Sequence, residues 1–208
     1  MGGFRRRLTA GIFLLAAGAS SQVIEFESKG LKYQTLTKAG VTLMYAHLPS
    51  HIRGYATLQV AVSNGSGGPY IIKPEDFFFE RGDGQEVRAS AARTVVEMLI
   101  DKGGRNDVIR LVSSYESALY GIAHMRSTNG YEARRQAALA LTSVKLKAAA
   151  AASAVALVQT KLAPGDSTDG AVFFPSGGKP LGAGKLVVRT NTDTFEFNPE
   201  QKPDQKPE

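Results

Sequence analysis

The hydrophobic period of this chain changes twice, and those two changes limit the folds open to it. In "GYATLQVAVSN", residues 54 to 64, Ala56, Leu58, Val60 and Val62 alternate with Thr57, Gln59, Ala61 and Ser63. A period of two is that of a β-strand, with the first set on a buried face and the second towards solvent or a more polar layer. From about residue 90 to residue 161 the apolar spacing becomes helical. After Pro164-Gly165 the β pattern returns in "DGAVFF" and "GKLVVRTNTDTFEFN". Sequential strands usually belong to one sheet system, so the order predicts a mainly β fold with an α insertion: an antiparallel β-sandwich interrupted by about three helices. A separate three-helix domain is the alternative.

The local signals fit that order. Residues 31 to 48 carry two β-rich pieces around a turn at Ala39-Gly40, and "GSGGP" ends the strand of residues 54 to 64. "YIIKPEDFFFERGDGQEV" supplies two further stretches, the second turning at Gly82-Asp83-Gly84. Ser90 is placed to cap a helix containing Val95, Val96, Leu99 and Ile100 that ends at Gly103-Gly104. Asn106 is placed to cap a second, with Ile109, Val112, Leu119, Ile122 and Met125 at helical spacing until Asn129-Gly130. A third is expected from Tyr131 to Lys161, which contains no glycine or proline. Its centre, "KAAAAASAVALV", favours helix and offers a smooth surface for close packing. Lys145 and Lys147 keep its apolar run well short of the roughly 20 residues of a membrane span.

The N-terminus has the order of an export signal: Arg5, Arg6 and Arg7, an apolar run from Leu8 to Ala17, then small residues from Gly18 to Ser21. The expected mature chain begins near Gln22 and is periplasmic or secreted; a retained segment would instead tether it to a membrane. The formal charge of +6 falls to +3 once those three arginines are set aside. That residue of charge, without a basic stripe, argues against nucleic acid as a partner. The absence of cysteine rules out disulfides, thiolate chemistry and lipid attachment through an N-terminal cysteine. The tail "PEQKPDQKPE" has no large apolar residue and reads as disordered.

"LQVAVSN", "IKPEDFFFERGDGQEV", "KLAPGDSTDGAVFF" and "KLVVRTNTDTFEF" together resemble the immunoglobulin-like β-sandwich domains of unknown function in bacterial exported proteins and lipoproteins. The resemblance covers about 95 residues in two halves and implies fold rather than activity; it brings no catalytic residues and no cofactor. The expected layout is a signal peptide at 1–21, sandwich halves at 22–89 and 162–198, a helical insertion at 90–161, and a tail at 199–208.

Each candidate for chemistry has a plainer explanation. Ser167, in Gly165-Asp166-Ser167, lies between a helix and a strand, the reverse of a nucleophile elbow, and is expected to belong to a turn. Of the histidines His47, His51 and His124, the first two share a four-residue spacing that suits zinc on a helix, but Pro49 opposes that helix. Asp166 and Asp169 fall short of a calcium site. "GGKPLGAGKL", residues 177 to 186, misses phosphate-loop spacing and precedes a strand. Arg81-Gly82-Asp83 reads as a hairpin turn. The expected function is therefore a non-enzymatic binding or scaffold module of the periplasm or cell envelope, with an envelope protein or surface ligand as partner. The alternatives are a hydrolase whose site assembles only in three dimensions and a tethered structural protein. Tyr115, Tyr120, Tyr131, Met98 and Met125 are the candidate partner contacts, with helix-to-sheet packing as their other role.

Overall fold

The computed structural model describes residues 22–122 and 129–198, so the expected signal segment, the expected tail, His124 and Met125 lie outside the described residues. The described residues are mainly β, with antiparallel sheets and four helices. One sheet has the order β1-β2-β3-β4-β9, from β1 (Ile24–Ser28), β2 (Leu31–Lys38), β3 (Val41–His47), β4 (Tyr55–Asn64) and β9 (Ser167–Pro175). A second has the order β11-β10-β6-β7, from β6 (Phe77–Arg81), β7 (Glu86–Arg88), β10 (Gly184–Arg189) and β11 (Thr194–Phe197). The short strands β5 (Tyr70–Ile72) and β8 (Thr160–Leu162) pair with each other. The first two hairpins are two-residue turns, Lys29-Gly30 and Ala39-Gly40, with positive φ at all four residues, as a type I′ turn demands.

The two larger sheets pack face to face. Leu43, Leu58, Val60, Val62, Val172 and Phe174 of the first meet Phe77, Phe79, Leu186, Val188, Phe195 and Phe197 of the second, all buried. Aromatic edges cross the interface, Tyr45 on Phe197 with centroids 4.9 Å apart and Phe79 on Phe174 at 6.4 Å. Each such side chain contributes roughly 1.5–3 kcal/mol by burial.

The helices are α1 (Ala92–Lys102), α2 (Arg105–Leu119), α3 (Tyr131–Ala140) and α4 (Val144–Val155). They stack on the outer face of the first sheet, where Ile52, Ala171 and Phe173 share a second buried cluster with Val95, Leu99, Leu111, Tyr115 and the alanines of α4. The helical block therefore packs as a third layer against the first sheet. The small alanine side chains let α4 sit among α1, α2 and α3. The closeness is measurable at Gly103: a Cβ there would lie 2.8 Å from that of Ala148.

Both ends of the insertion are hydrogen-bonded to β9. On entry the Ser90 N–H donates to the Phe173 carbonyl at 2.8 Å; on exit the Leu157 N–H donates to the Ala171 carbonyl at 2.9 Å. This covers the strand's otherwise open edge. It also fixes Gly170, because a Cβ there would come 2.5 Å from the backbone of Leu157.

The structure corrects the expected helices in three ways. The third, expected to be unbroken, is two: Leu141, Thr142 and Ser143 interrupt it, and the Ser143 hydroxyl accepts from the Leu146 N–H to cap α4. The second stops at Leu119, well before Asn129-Gly130, and begins with Gly104 rather than Asn106 as its cap. Ala91, not Ser90, stands at the cap of the first, because the Ser90 backbone is committed to Phe173. No helix among the described residues is long and apolar enough to cross a membrane.

Candidate functional site

The faces of β4 and β9 that point to the helices carry a polar seam. Thr57, Gln59 and Asp169 are buried there. Tyr115 of α2 donates its hydroxyl hydrogen to Asp169 Oδ2. Its ring meets that of Tyr131 edge-on at 4.9 Å, and the Tyr131 hydroxyl donates to Glu116 Oε1 at 3.1 Å. Glu116 is held in turn by Arg135 at 2.6 Å. Burial, with the Asp169 carboxylate beside it, pushes the Tyr115 hydroxyl well above the usual tyrosine range. Burial and Glu116 do the same for Tyr131. Both hydroxyls are thus held protonated, as donors. The cavity beside them, bordered by Ser50, Thr57, Ser114 and Tyr115, measures about 10 Å³, the room of a single water. The seam positions helices against sheet, and this cavity holds no more than a water.

This settles the placement of the proposed contact residues. Tyr115 and Tyr131 are at 0% exposure, so they belong to the core rather than to an open face. Met98 is half-buried against the same cluster. Tyr120 is exposed and donates to Glu132, next to the Lys29 ammonium on its carbonyl. Met125 lies outside the described residues.

Among the described residues Ser167, His47 and His51 stand apart, and His124 lies outside them. Ser167 opens β9 and its hydroxyl meets that of Ser63 at 3.0 Å. His47 pairs with Leu58, five residues back along β4 from Ser63, which separates it from Ser167 by about 16 Å of strand. His51 lies at that same far end, in the loop entering β4. His47 rests against the rings of Tyr45 and Phe79, whereas His51 borders a basin with Arg53 and Arg105, and no metal-ligating cluster forms among the described residues. Asp166 caps its own turn by accepting from the Ala163 N–H at 2.9 Å, while Asp169 faces α2; the two share no site.

What the molecule does expose is one end of the helical layer. α1 ends against Ala148, near the start of α4. A three-residue link joins the end of α3 to that start. An open groove of about 520 Å³ between α2 and α3 has Val108, Ile109 and Val112 on one side and Leu139 on the other. The C-termini of α1 and α3 and the N-termini of α2 and α4 therefore converge. Ile100 is 48% exposed, Ile109 54%, Val144 47% and Leu146 49%, and Leu141 is exposed beside them.

The same end is cationic. Lys102, Arg105, Arg110 and Lys145 are exposed and Lys147 half-exposed. Among the described residues none of these five forms an ion pair. A polar basin of about 440 Å³ opens at the first turn of α2, bordered by His51, Arg53, Arg105 and Arg110. Arg53 there has φ +54°, an uncommon conformation for a side-chain-bearing residue. It is anchored through two bonds to Asp107, at 2.7 and 3.0 Å, and one to the Lys102 carbonyl at 2.5 Å. Asp107 also accepts from the Gly104 N–H at 2.8 Å, which caps α2. The sequence signal for this end was Thr142-Ser143, a cap inside an apparently unbroken helix that leaves Leu141, Val144 and Leu146 bare.

No protein-family model matches this chain, and comparison with curated proteins and with solved structures returns no match.

Proposed function

We propose that this chain is an exported, non-enzymatic binding or scaffold module of the cell envelope, in which the β-sheets are a rigid frame and the helical layer is the contact surface. The observation that carries this reading is the distribution of exposed apolar side chains. Of the ten large ones exposed among the described residues, six are on the four helices or the links between them: Ile100, Ile109, Tyr120, Leu141, Val144 and Leu146. Concentrated exposed apolar surface is characteristic of an interaction site. The outer face of the four-stranded sheet is closed by contrast. Glu80 pairs with Lys185 and Arg189 at 3.1 Å each, Arg189 with Glu86 at 2.6 Å, and Lys185 with Glu196 at 3.0 Å.

Strand order supports an immunoglobulin-like frame. β4 and β9 are neighbours in one sheet and β6, β10 and β11 are neighbours in the other, while the connections β4 to β6 and β9 to β10 both pass between sheets. These are the B–E and C–F–G adjacencies of that fold, with the helices inserted after β7. The N-terminal signal pattern supports export.

The test is site-specific photo-crosslinking of the full chain in its envelope fraction. A crosslinker at Ile109 or Leu139 is expected to capture a partner, and one at Glu196 on the ion-paired face is not. Equal yields at the three positions would overturn the assignment of the helical layer as contact surface. Recovery of the chain from cytosol with residues 1–21 intact would overturn export.

A further inference from the structure

Charge is divided unevenly between the parts of this chain. Residues 90–161 hold ten lysines and arginines against five aspartates and glutamates, a net +5, while residues 22–89 and 162–198 together hold ten against eleven, a net −1. Within the helical layer the excess collects at the converging end. Arg53, Lys102, Arg105, Arg110, Lys145 and Lys147 stand there against Asp101 and Asp107, and Asp107 is buried beneath Arg53. The exposed segment Leu141 to Leu146, with Lys147 following, alternates these chemistries in sequence: Leu141, Val144 and Leu146 bare, Lys145 and Lys147 between and after them, no acid among them.

We propose that this end of the helical layer docks on an anionic lipid surface, with the α3–α4 corner entering the headgroup region. Three features favour lipid over a folded protein partner. The aliphatic side chains stand on separate helix ends around a corner rather than lining one deep pocket, so each can enter a soft interface to a shallow depth. Lysines adjoining them can lay their methylene stems along the apolar boundary and keep their ammonium groups among phosphates. The unpaired cations complement a negative surface, which attracts basic segments over about a Debye length. Lipid contact here is separate from any tether made by the N-terminal segment. It rests on the reading of the helical layer as the contact surface and names one partner for it.

The chain contains no tryptophan, so Val144→Trp in the full chain gives a single reporter at the corner. Addition of vesicles of phosphatidylcholine with a third part of phosphatidylglycerol is expected to shift its emission to the blue, while vesicles of phosphatidylcholine alone leave it unchanged. Lys145→Glu/Lys147→Glu in the same background is expected to weaken the shift about tenfold or more in apparent affinity, as is raised salt. Co-flotation without an emission shift would mean that another segment, such as the N-terminus, holds the lipid, and would overturn the proposal. So would an equal shift with neutral vesicles, or a shift with poly-glutamate and none with either vesicle, which would assign the surface to an acidic polypeptide. A crosslinked protein at Ile109 with no shift at position 144 would leave the contact surface standing and remove only the lipid.

Discussion

The two faces of the β4–β9 pair are buried by different means. Towards the second sheet, Leu58, Val60, Val62, Val172 and Phe174 meet phenylalanines, valines and a leucine, and the seal is made by large apolar side chains. Towards the helices, Ala171 and Phe173 share the surface with Thr57, Gln59 and Asp169, and the seal is made by alanines packed close and by the Tyr115–Asp169 hydrogen bond. A chain that buries both faces of one strand pair has coupled its layers: neither can leave without exposing the other's backing. The difference lies in what each face tolerates. The apolar face depends on volume, and the helical face on close approach and on the buried Tyr115–Asp169 hydrogen bond.

The largest effect is expected where volume dominates. Phe79 is 1% exposed and touches Phe174 and His47. Phe79→Ala should cost about 3–5 kcal/mol, since truncation leaves a cavity as well as losing the transfer energy. Because β4 and β9 belong to both clusters, helical and sheet circular dichroism should be lost in one transition at lower denaturant. Helical signal surviving after the sheet signal has gone would uncouple the layers.

A smaller effect is expected at Gly170, which pairs with Val60 on the apolar face of β9, where the exit of the insertion crosses it. The Cβ of Gly170→Ala would lie 2.5 Å from the Leu157 backbone, so the exit strand of the insertion must move. A cost of about 2 kcal/mol follows from overpacking of this kind. Hydrogen exchange reads it locally: the Leu157 amide, bonded to Ala171, should lose protection while Leu186 and Val188, in the same core but on the second sheet, keep theirs. Uniform loss of protection would make the substitution a global one rather than a local shift of the insertion's exit.

The apolar face was legible in the sequence and the helical face was not, for a physical reason. Alternation in "ATLQVAV" places Leu58, Val60 and Val62 on one side with no further information, and the turns at Ala39-Gly40 and Gly82-Asp83-Gly84 are written in residues that accept positive φ or a tight hairpin. Thr57 and Gln59 are polar, and polar residues in an alternating strand read equally as solvent-facing or as facing a polar layer. What buries them is a helical layer that reaches β4 through α2, far along the chain. The break between α3 and α4 was hidden by composition, because nothing from Tyr131 to Lys161 is a helix breaker and only Ser143 acts, by capping. Tyr115 and Tyr131 followed the helical spacing into the core. The exposed corner at Leu141 to Lys147 was invisible until that break was known.

The finest contrast between the faces is chemical. Tyr115→Phe keeps the ring against Tyr131 but removes the hydroxyl that donates to Asp169, and losing one hydrogen bond to a buried acceptor costs about 1–3 kcal/mol at neutral pH. The pH dependence separates this from lost packing. A tyrosine ionises near pH 10 when unfolded, and burial with Asp169 nearby raises the folded value above that. The stabilisation tied to the protonated hydroxyl is therefore fully present below about pH 10 and is lost as pH rises from there towards the folded value. Above that point wild-type stability should fall more steeply than that of Tyr115→Phe, by up to about 1.4 kcal/mol per pH unit, while the two run parallel at neutral pH. Tyr131 is present in both proteins, so its own contribution cancels to the extent that its surroundings are unchanged. Parallel curves throughout would show that Tyr115 serves the helical face as an aromatic ring alone, and the chemical distinction between the two faces of the strand pair would then reduce to one of side-chain volume.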